Sequence, residues 1–271
     1  MCGIFGFTSN NKDNWTALNR FKFQILGVEM DTRGGDSTGI AYDNIVVKSH
    51  EIKLFNDFWR NSDNIPKSLQ FPAIIGHDRK SSVGGNTYEN AQPIFFQFDE
   101  ANHVESILAH NGTISNYREL YEKHKLQVHY SETEIAAMSD SQVLALLLHK
   151  VGWSILEEYI GSAAFLYMRS SEPGIVYIYH GKSPTRKNAA ETEERPLFYA
   201  IDEESECIWI CSTRSAIEKV VASRKAVIEV PFNTVFRIEG LTMSAVAKID
   251  RKDVYQFPAI ATYSTAGYRQ G

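Results

Sequence analysis

Met1-Cys2-Gly3-Ile4-Phe5-Gly6-Phe7 opens the chain. Cys is small enough for removal of Met1 to be expected, which leaves Cys2 with a thiol and a free α-amine on one residue. The thiolate is the reactive form of a cysteine, and its free pKa is about 8.5. An α-amine titrates at roughly 7.7–8.0, so part of it is neutral at pH 7 and can take the thiol proton. Nucleophile and base can then come from one residue. The same heptamer also reads as a buried Cys at the head of a first strand, so the rest of the chain has to decide. Gly3 and Gly6 inside an apolar strand mark places where backbone packs closely.

The totals narrow the choice. The chain has 271 residues, enough for one large domain or two small ones, and a net charge of -5, which carries no electrostatic footprint for nucleic acid. Cys2, Cys207 and Cys211 are its only cysteines. So few, and an odd number, argue against a disulfide framework and for a reducing compartment, and a cytoplasmic location is expected. No apolar run is long enough for a membrane span, and the N-terminus lacks the basic and apolar regions of a secretory signal.

After the opening strand, Asn14 is read as the cap of a helix to about Met30, with Leu18, Phe21, Ile25 and Val28 as its apolar positions. Arg33-Gly34-Gly35-Asp36-Ser37-Thr38-Gly39 is a glycine-rich turn into a strand, and Ile40–Tyr42 pairs with Ile45–Lys48 across Asp43-Asn44. A short helix is expected around Leu54–Trp59. Residues 72–77 read as a buried strand, and 78–85 as a loop by composition. Ile94–Phe98 and Ser106–Ala109 read as strands, the second ending at an Asn111-Gly112 turn with positive φ. Ser115 is read as the cap of a helix through Tyr117–Glu122. Ser139-Asp140-Ser141-Gln142 has the capping-box pattern, and Ser154–Glu157 repeats it. The second half turns to strands: Ala163–Met168, Ile175–Tyr179, Leu197–Ile201, Cys207–Cys211, Thr234–Ile238 and Ser244–Ile249, with a short helix near Ser215–Val221. Residues 188–194 read as a polar insertion. The pattern predicts an α+β layered fold with helices on sheets. One domain over residues 2–257 with a weakly ordered tail at 258–271 is the simplest division.

Five stretches in order, the Cys2 heptamer, Arg33–Gly39, Gly76–Gly84, His110–Gly112 and Ser139–Gln142, resemble the glutaminase domain of class II glutamine amidotransferases, a branch of the N-terminal-nucleophile hydrolases. The spacing is most similar to the branch that includes glucosamine-6-phosphate synthase. The resemblance covers roughly residues 2–240 and implies a four-layer αββα sandwich. It implies glutamine as substrate, with Cys2 as nucleophile, and Asn111 and Gly112 as the oxyanion hole. The resemblance also implies that Arg33 and Gly34 hold the N-terminus, that Arg79 binds the glutamine carboxylate and Asp140 its ammonium, and that Ser82 and Val83 line the pocket. No metal or organic cofactor is implied. Two positions depart from the family: Lys80 stands where its Trp closes the glutamine loop and gates ammonia, and Gln92 where it has His.

The expectation is a glutaminase that hydrolyses L-glutamine to glutamate and ammonia. No acceptor domain follows in this sequence, so a separate synthase or synthetase chain is expected to take the ammonia; a homo-oligomer is compatible with the reading. Two alternatives stay open: a hydrolase of another γ-glutamyl or small amide, and a catalytically silent binding subunit. Cys207 and Cys211 share a strand face with Trp209; two ligands without a His pair do not make a zinc site, so core packing is expected. His77 and His110 are read as structural neighbours of the site rather than its base.

Overall fold

A computed structural model describes residues 1–81, 85–97, 104–126, 137–181, 195–222 and 226–251. Phe98, the insertion at 188–194 and the tail at 258–271 lie outside the described residues, as does the end of the proposed 2–257 unit. In chain order come β1 (Gly3–Ser9), α1 (Ala17–Met30), β2 (Ser37–Tyr42), β3 (Ile45–Ser49), α2 (Phe55–Arg60), β4 (Ala73–Arg79), β5 (Ile94–Gln97) and β6 (Val104–Ile114). Then follow α3 (Tyr117–Lys123), α4 (Asp140–Lys150), β7 (Gly161–Arg169), β8 (Ile175–Gly181), β9 (Phe198–Asp202), β10 (Cys207–Cys211), α5 (Arg214–Ile217), β11 (Ile228–Glu229), β12 (Thr234–Glu239) and β13 (Thr242–Lys248).

Two sheets form among the described residues, in the orders β11-β9-β10-β1-β4-β2-β3 and β13-β12-β8-β7-β6-β5. Every pairing is antiparallel. Alternation along the strands separates the layers. Phe5 and Phe7 of β1 join Trp15, Phe23, Phe55 and Trp209 in a core between the first sheet and α1, α2 and α5. Ile4, on the other face, meets Ile75, Ala164, Leu166 and Ile178 in a core between the two sheets. Phe165 and Tyr167 of β7 turn outward to Leu144, Leu147 and Leu148 of α4. These three apolar seams make the four-layer αββα sandwich. Each fully buried side chain of this size contributes roughly 1.5–3 kcal/mol of transfer free energy.

Several sequence expectations hold closely. Cys207–Cys211 is a strand with the expected bounds, and its cysteines are buried beside Trp209. Asp43 and Asn44 take φ of 48° and 62°, the two left-handed residues of a tight hairpin. Ser139 and Gln142 form the full capping box of α4.

Others are corrected. Thr16, not Asn14, caps α1, accepting the Asn19 N–H. The helix buries Phe23, Leu26 and Met30, while Leu18 and Phe21 are 60% and 58% exposed. Two apolar stripes coexist on α1, and the aromatic pocket around Phe5 selects the one carrying Phe23. Ser115 spends its hydroxyl on the Ile160 carbonyl, and α3 starts after Asn116. The Ser154 box does not form; residues Trp153–Glu157 are a 3₁₀ turn entered through Gly152. Asp78 and Arg79 are the last residues of β4 rather than loop. Asn111 and Gly112 make no turn: β6 runs straight through them, opposite Ala164 and Ala163. The long partner strand β7 overrides the local turn preference.

Candidate active site

The site lies where β1 begins. Gly3 is paired with Asp78 of β4, so Cys2 falls beside the β4 end and the residues after it. The Lys80 N–H donates to Cys2 Sγ at 3.3 Å, and Sγ lies 3.5 Å from the Lys80 carbonyl. The Lys80 backbone thus seats the sulfur, while its side chain turns away to Asp36 at 3.2 Å. Burial pushes the Cys2 thiol up, against the Lys80 N–H, the N-terminal amine, Arg79 and Arg195, which favour the thiolate. Burial therefore favours the thiol over the thiolate, and a base is needed to generate the reactive form.

Arg33 Nε donates to the Cys2 carbonyl at 3.1 Å, and its Nη2 lies against Met1 Sδ at 2.7 Å. Arg33 is set by the turn after α1, where the Arg33 and Gly34 N–H groups both bond the Met30 carbonyl. Gly34 has no room for a side chain: a Cβ there falls on the Asp78 carboxyl. Gly35 takes φ of 93°, which suits glycine.

Arg79 pairs in the ladder with Ser37, and its Nη1 donates to Ser81 Oγ at 2.8 Å and the Gly85 carbonyl at 2.7 Å. It grips both ends of the segment that contains Ser82 and Val83, which lie outside the described residues. Burial lowers the Arg79 pKa, while the fields of Cys2, Asp36 and Asp140 support its charge. Asp140 opens α4 and is buried, with the Ile114 and Ser141 N–H groups on its two oxygens at 2.9 Å each. A cation and an anion thus lie within electrostatic reach of each other, the cation next in sequence to the residue whose backbone seats the sulfur.

Asn111 is buried, and its Nδ2 has no acceptor among the described residues. Such a donor is uncommon in a folded protein and points to a role. Gly112 follows with its Cα wedged between the Ser162 carbonyl and the His110 ring, where a Cβ cannot fit. A polar network holds this strand. Gln92 accepts from the His110 N–H at 2.7 Å and donates to Ser141 Oγ at 3.2 Å, and Ser141 bonds His110 Nδ1 at 2.9 Å. His77 Nε2 donates to the His110 carbonyl at 3.0 Å. Burial lowers His77 to about 3 and His110 to about 4, so both rings are neutral at pH 7.

Cys2, Arg33, Gly34 and Arg79 therefore lie together where β1 begins and β4 ends, Asp140 is within electrostatic reach of Arg79, and Asn111 and Gly112 sit on the strand that His77 ties to β4. Sequence reading missed Arg195, which is buried within electrostatic reach of Cys2, Arg33 and His110. Its only sequence signal is the Arg195-Pro196-Leu197 step into β9. Gln92 and Ser141 were also missed as a linked pair. Among the described residues no cluster of His, Cys, Asp or Glu is arranged to hold a metal.

Two stacked antiparallel sheets between helices, with a cysteine at the start of the central strand, define a class II glutamine amidotransferase domain of the N-terminal-nucleophile type. Residues 60–266 match the family model described as a glutamine amidotransferase domain, and the chain belongs to that family. It is 29% identical over 197 residues to glutamine–fructose-6-phosphate aminotransferase (isomerizing) of Streptococcus pneumoniae, covering 68% of this chain and 29% of that protein. It is 30% identical over 177 residues to an amidophosphoribosyltransferase sequence of Lacticaseibacillus casei, covering 62% of this chain and 84% of the other. A solved allosteric regulatory enzyme of purine biosynthesis superposes with a TM-score of 0.65 at 24% identity, over 90% of this chain and 48% of that one; it bears on the fold alone. The chain spans about a third of the length of the first curated relatives it matches. Among the described residues no helix is long and apolar enough to cross a membrane.

Proposed function

We propose that this chain hydrolyses the side-chain amide of L-glutamine, releasing ammonia for an acceptor site on a fused or separate domain. The observation that carries the reading is Arg79 at the end of β4, where the next residue, Lys80, seats Cys2 Sγ with its backbone N–H at 3.3 Å and the Arg79 guanidinium lies within electrostatic reach of Asp140. A free amino acid presents a carboxylate and an ammonium a few bonds apart. A guanidinium and a carboxylate that feel each other's charge, near a sulfur, suit that zwitterion.

Met1 is 54% exposed and open to removal. The freed amine of Cys2 then takes the thiol proton, and Sγ attacks the amide carbon. Asn111 Nδ2, with the Gly112 backbone, stabilises the oxyanion. The intermediate collapses to a γ-glutamyl thioester as the protonated amine passes its proton to departing ammonia. Water attacks the thioester, and glutamate leaves. Arg33 and Gly34 hold the N-terminus during these steps, and the family resemblance assigns Ser82 and Val83, outside the described residues, to substrate binding. Unpaired cysteines suit a reducing, cytoplasmic setting.

Assay of the purified full chain tests this directly. Wild type is expected to convert glutamine to glutamate and ammonia in equal amounts, and Cys2→Ala to lose that turnover with its fold intact. Turnover by Cys2→Ala equal to wild type removes Cys2 from the mechanism. Activity confined to other amides returns the reading to a different γ-glutamyl hydrolase.

A further inference from the structure

A lysine on β3 lies against the site without entering the mechanism above. Lys48 is opposite Gly39 of β2, Gly39 is opposite His77 of β4, and His77 is opposite Ile4 of β1. Cross-strand partners share one face of a sheet, and Ile4 marks this one as the face turned to the second sheet. Gly39 leaves a gap in the row, because a Cβ there would meet the Gln92 carbonyl and the Lys48 stem. The Gln92 carbonyl occupies that gap, and Ala91 and Gln92 are both buried. On one side the Lys48 ammonium donates to the Ala91 carbonyl at 2.7 Å. On the other, His77 Nε2 donates to the His110 carbonyl at 3.0 Å.

Two aromatic rings hold the ammonium in place. Lys48 Nζ lies 4.9 Å from the centre of the Tyr88 ring and 5.1 Å from that of Phe95, within the range of a cation–π contact. Tyr88 and Phe95 flank residues 91–92 in sequence, so one charge ties both sides of the segment. The Ala91 N–H closes a turn on the Thr87 and Tyr88 carbonyls at 2.9 and 3.2 Å. Asn86 Nδ2 donates to the carbonyl of His50, two residues past Lys48, at 3.2 Å. Burial lowers the Lys48 pKa to about 8, with the Glu89 carboxylate supporting the charge and Arg79 opposing it, so the ammonium form prevails at pH 7. The peptide that Lys48 grips by its carbonyl joins Ala91 to Gln92. Gln92 Oε1 accepts the His110 N–H at 2.7 Å, and its Nε2 donates to Ser141 Oγ at 3.2 Å. Asn111 follows His110 on β6.

We propose that Lys48 is a positioning residue for Asn111: its ammonium holds the peptide that carries Gln92, and Gln92 fixes His110, the residue before the oxyanion donor. Lys48 touches neither the substrate nor the sulfur and acts only through this chain of hydrogen bonds. The catalytic half of the proposal rests on the glutaminase reading; the hold on residues 91–92 does not.

The test uses the full chain as wild type, Lys48→Met, Lys48→Arg, Asn111→Ala and the double variant of Lys48→Met with Asn111→Ala. Met keeps the length of the side chain and packs on aromatic rings, but it carries neither charge nor donor. A misplacement of about 1 Å at the reacting atoms can cost about 10²-fold in rate. β6 stays paired with β7, His110 opposite Phe165, so only part of that loss is expected. Lys48→Met should lose about tenfold in kcat with KM within about twofold of wild type. Lys48→Arg keeps a cation and its donors and should recover most of the loss. In the Asn111→Ala background Lys48→Met should change kcat by less than about twofold, because a donor already removed cannot be misplaced. Hydrogen exchange read by mass spectrometry should quicken at Ala91 and His110 in Lys48→Met and stay unchanged along β1. A Lys48→Met kcat equal to that of wild type, a loss carried by KM alone, or the same loss repeated in full in the Asn111→Ala background overturns the positioning role. A Lys48→Arg variant as impaired as Lys48→Met overturns the part played by the charge and its donors. If wild type itself does not turn over glutamine, the glutaminase reading fails, and exchange still decides the hold: faster exchange at Ala91 and His110 supports it, and unchanged exchange overturns it.

Discussion

Replacing Asn111 with Ala should separate activity from stability. In the free protein Asn111 Nδ2 makes no hydrogen bond among the described residues, although the residue is buried. A buried unsatisfied donor costs about 1–3 kcal/mol, and truncation to Ala removes that cost. The loss of packing around a short amide is of similar size and opposite sign, so the two nearly cancel. In the mechanism we propose, the same N–H points at developing negative charge during turnover, where one such donor is worth about 2.7–4 kcal/mol. Asn111→Ala should therefore keep Tm within about 3 °C of wild type while kcat falls roughly 10²–10³-fold and KM changes little. Thermal melts and steady-state glutaminase kinetics on the same preparation read both quantities. A variant that loses several degrees and activity in proportion assigns Asn111 to structure. One that raises KM with kcat intact assigns it to binding, and either result refutes the oxyanion argument.

Arg79→Ala should raise KM for glutamine by at least tenfold, and Arg79→Lys should recover only part of it, since an ammonium cannot make the bidentate carboxylate contact; equal kinetics for the two variants would deny that geometry. Gly112→Ala places a methyl against the Ser162 carbonyl and the His110 ring, with backbone on one side, and should lower Tm by several degrees as well as abolish turnover; an unchanged melt contradicts the packing. The two buried histidines set an acid limit. Their folded pKa values, about 3 for His77 and about 4 for His110, lie below the unfolded value of about 6.5, so the unfolded state binds more protons as pH falls. Stability should drop below pH 6.5, and less steeply in His77→Gln; identical slopes would show that His77 is not the group responsible.

Much of the fold was legible because local and global signals agree in it. Alternation in Cys207–Cys211, the left-handed pair Asp43-Asn44 and the Ser139 capping box each need only a few neighbouring residues, and each appears as read. The errors come where distant partners decide. Asn111-Gly112 has turn chemistry, yet pairing with Ala164 and Ala163 of β7 keeps it extended. α1 carries two apolar stripes, and nothing within the helix says that Phe23 rather than Phe21 meets Phe5. In the site, the motifs named Cys2, Arg33, Gly34, Arg79, Asn111, Gly112 and Asp140. They did not reveal Arg195, which reaches Cys2 from a distant part of the chain.

Covalent capture of the nucleophile tests the account most directly. Full chain lacking Met1, confirmed by intact mass, is incubated with a diazoketone analogue of glutamine, digested and mapped. The account predicts one adduct, a thioether on Cys2 Sγ, blocked by excess glutamine and absent from Cys2→Ala. An adduct on Cys207 or Cys211, or no adduct on a correctly processed chain, contradicts it.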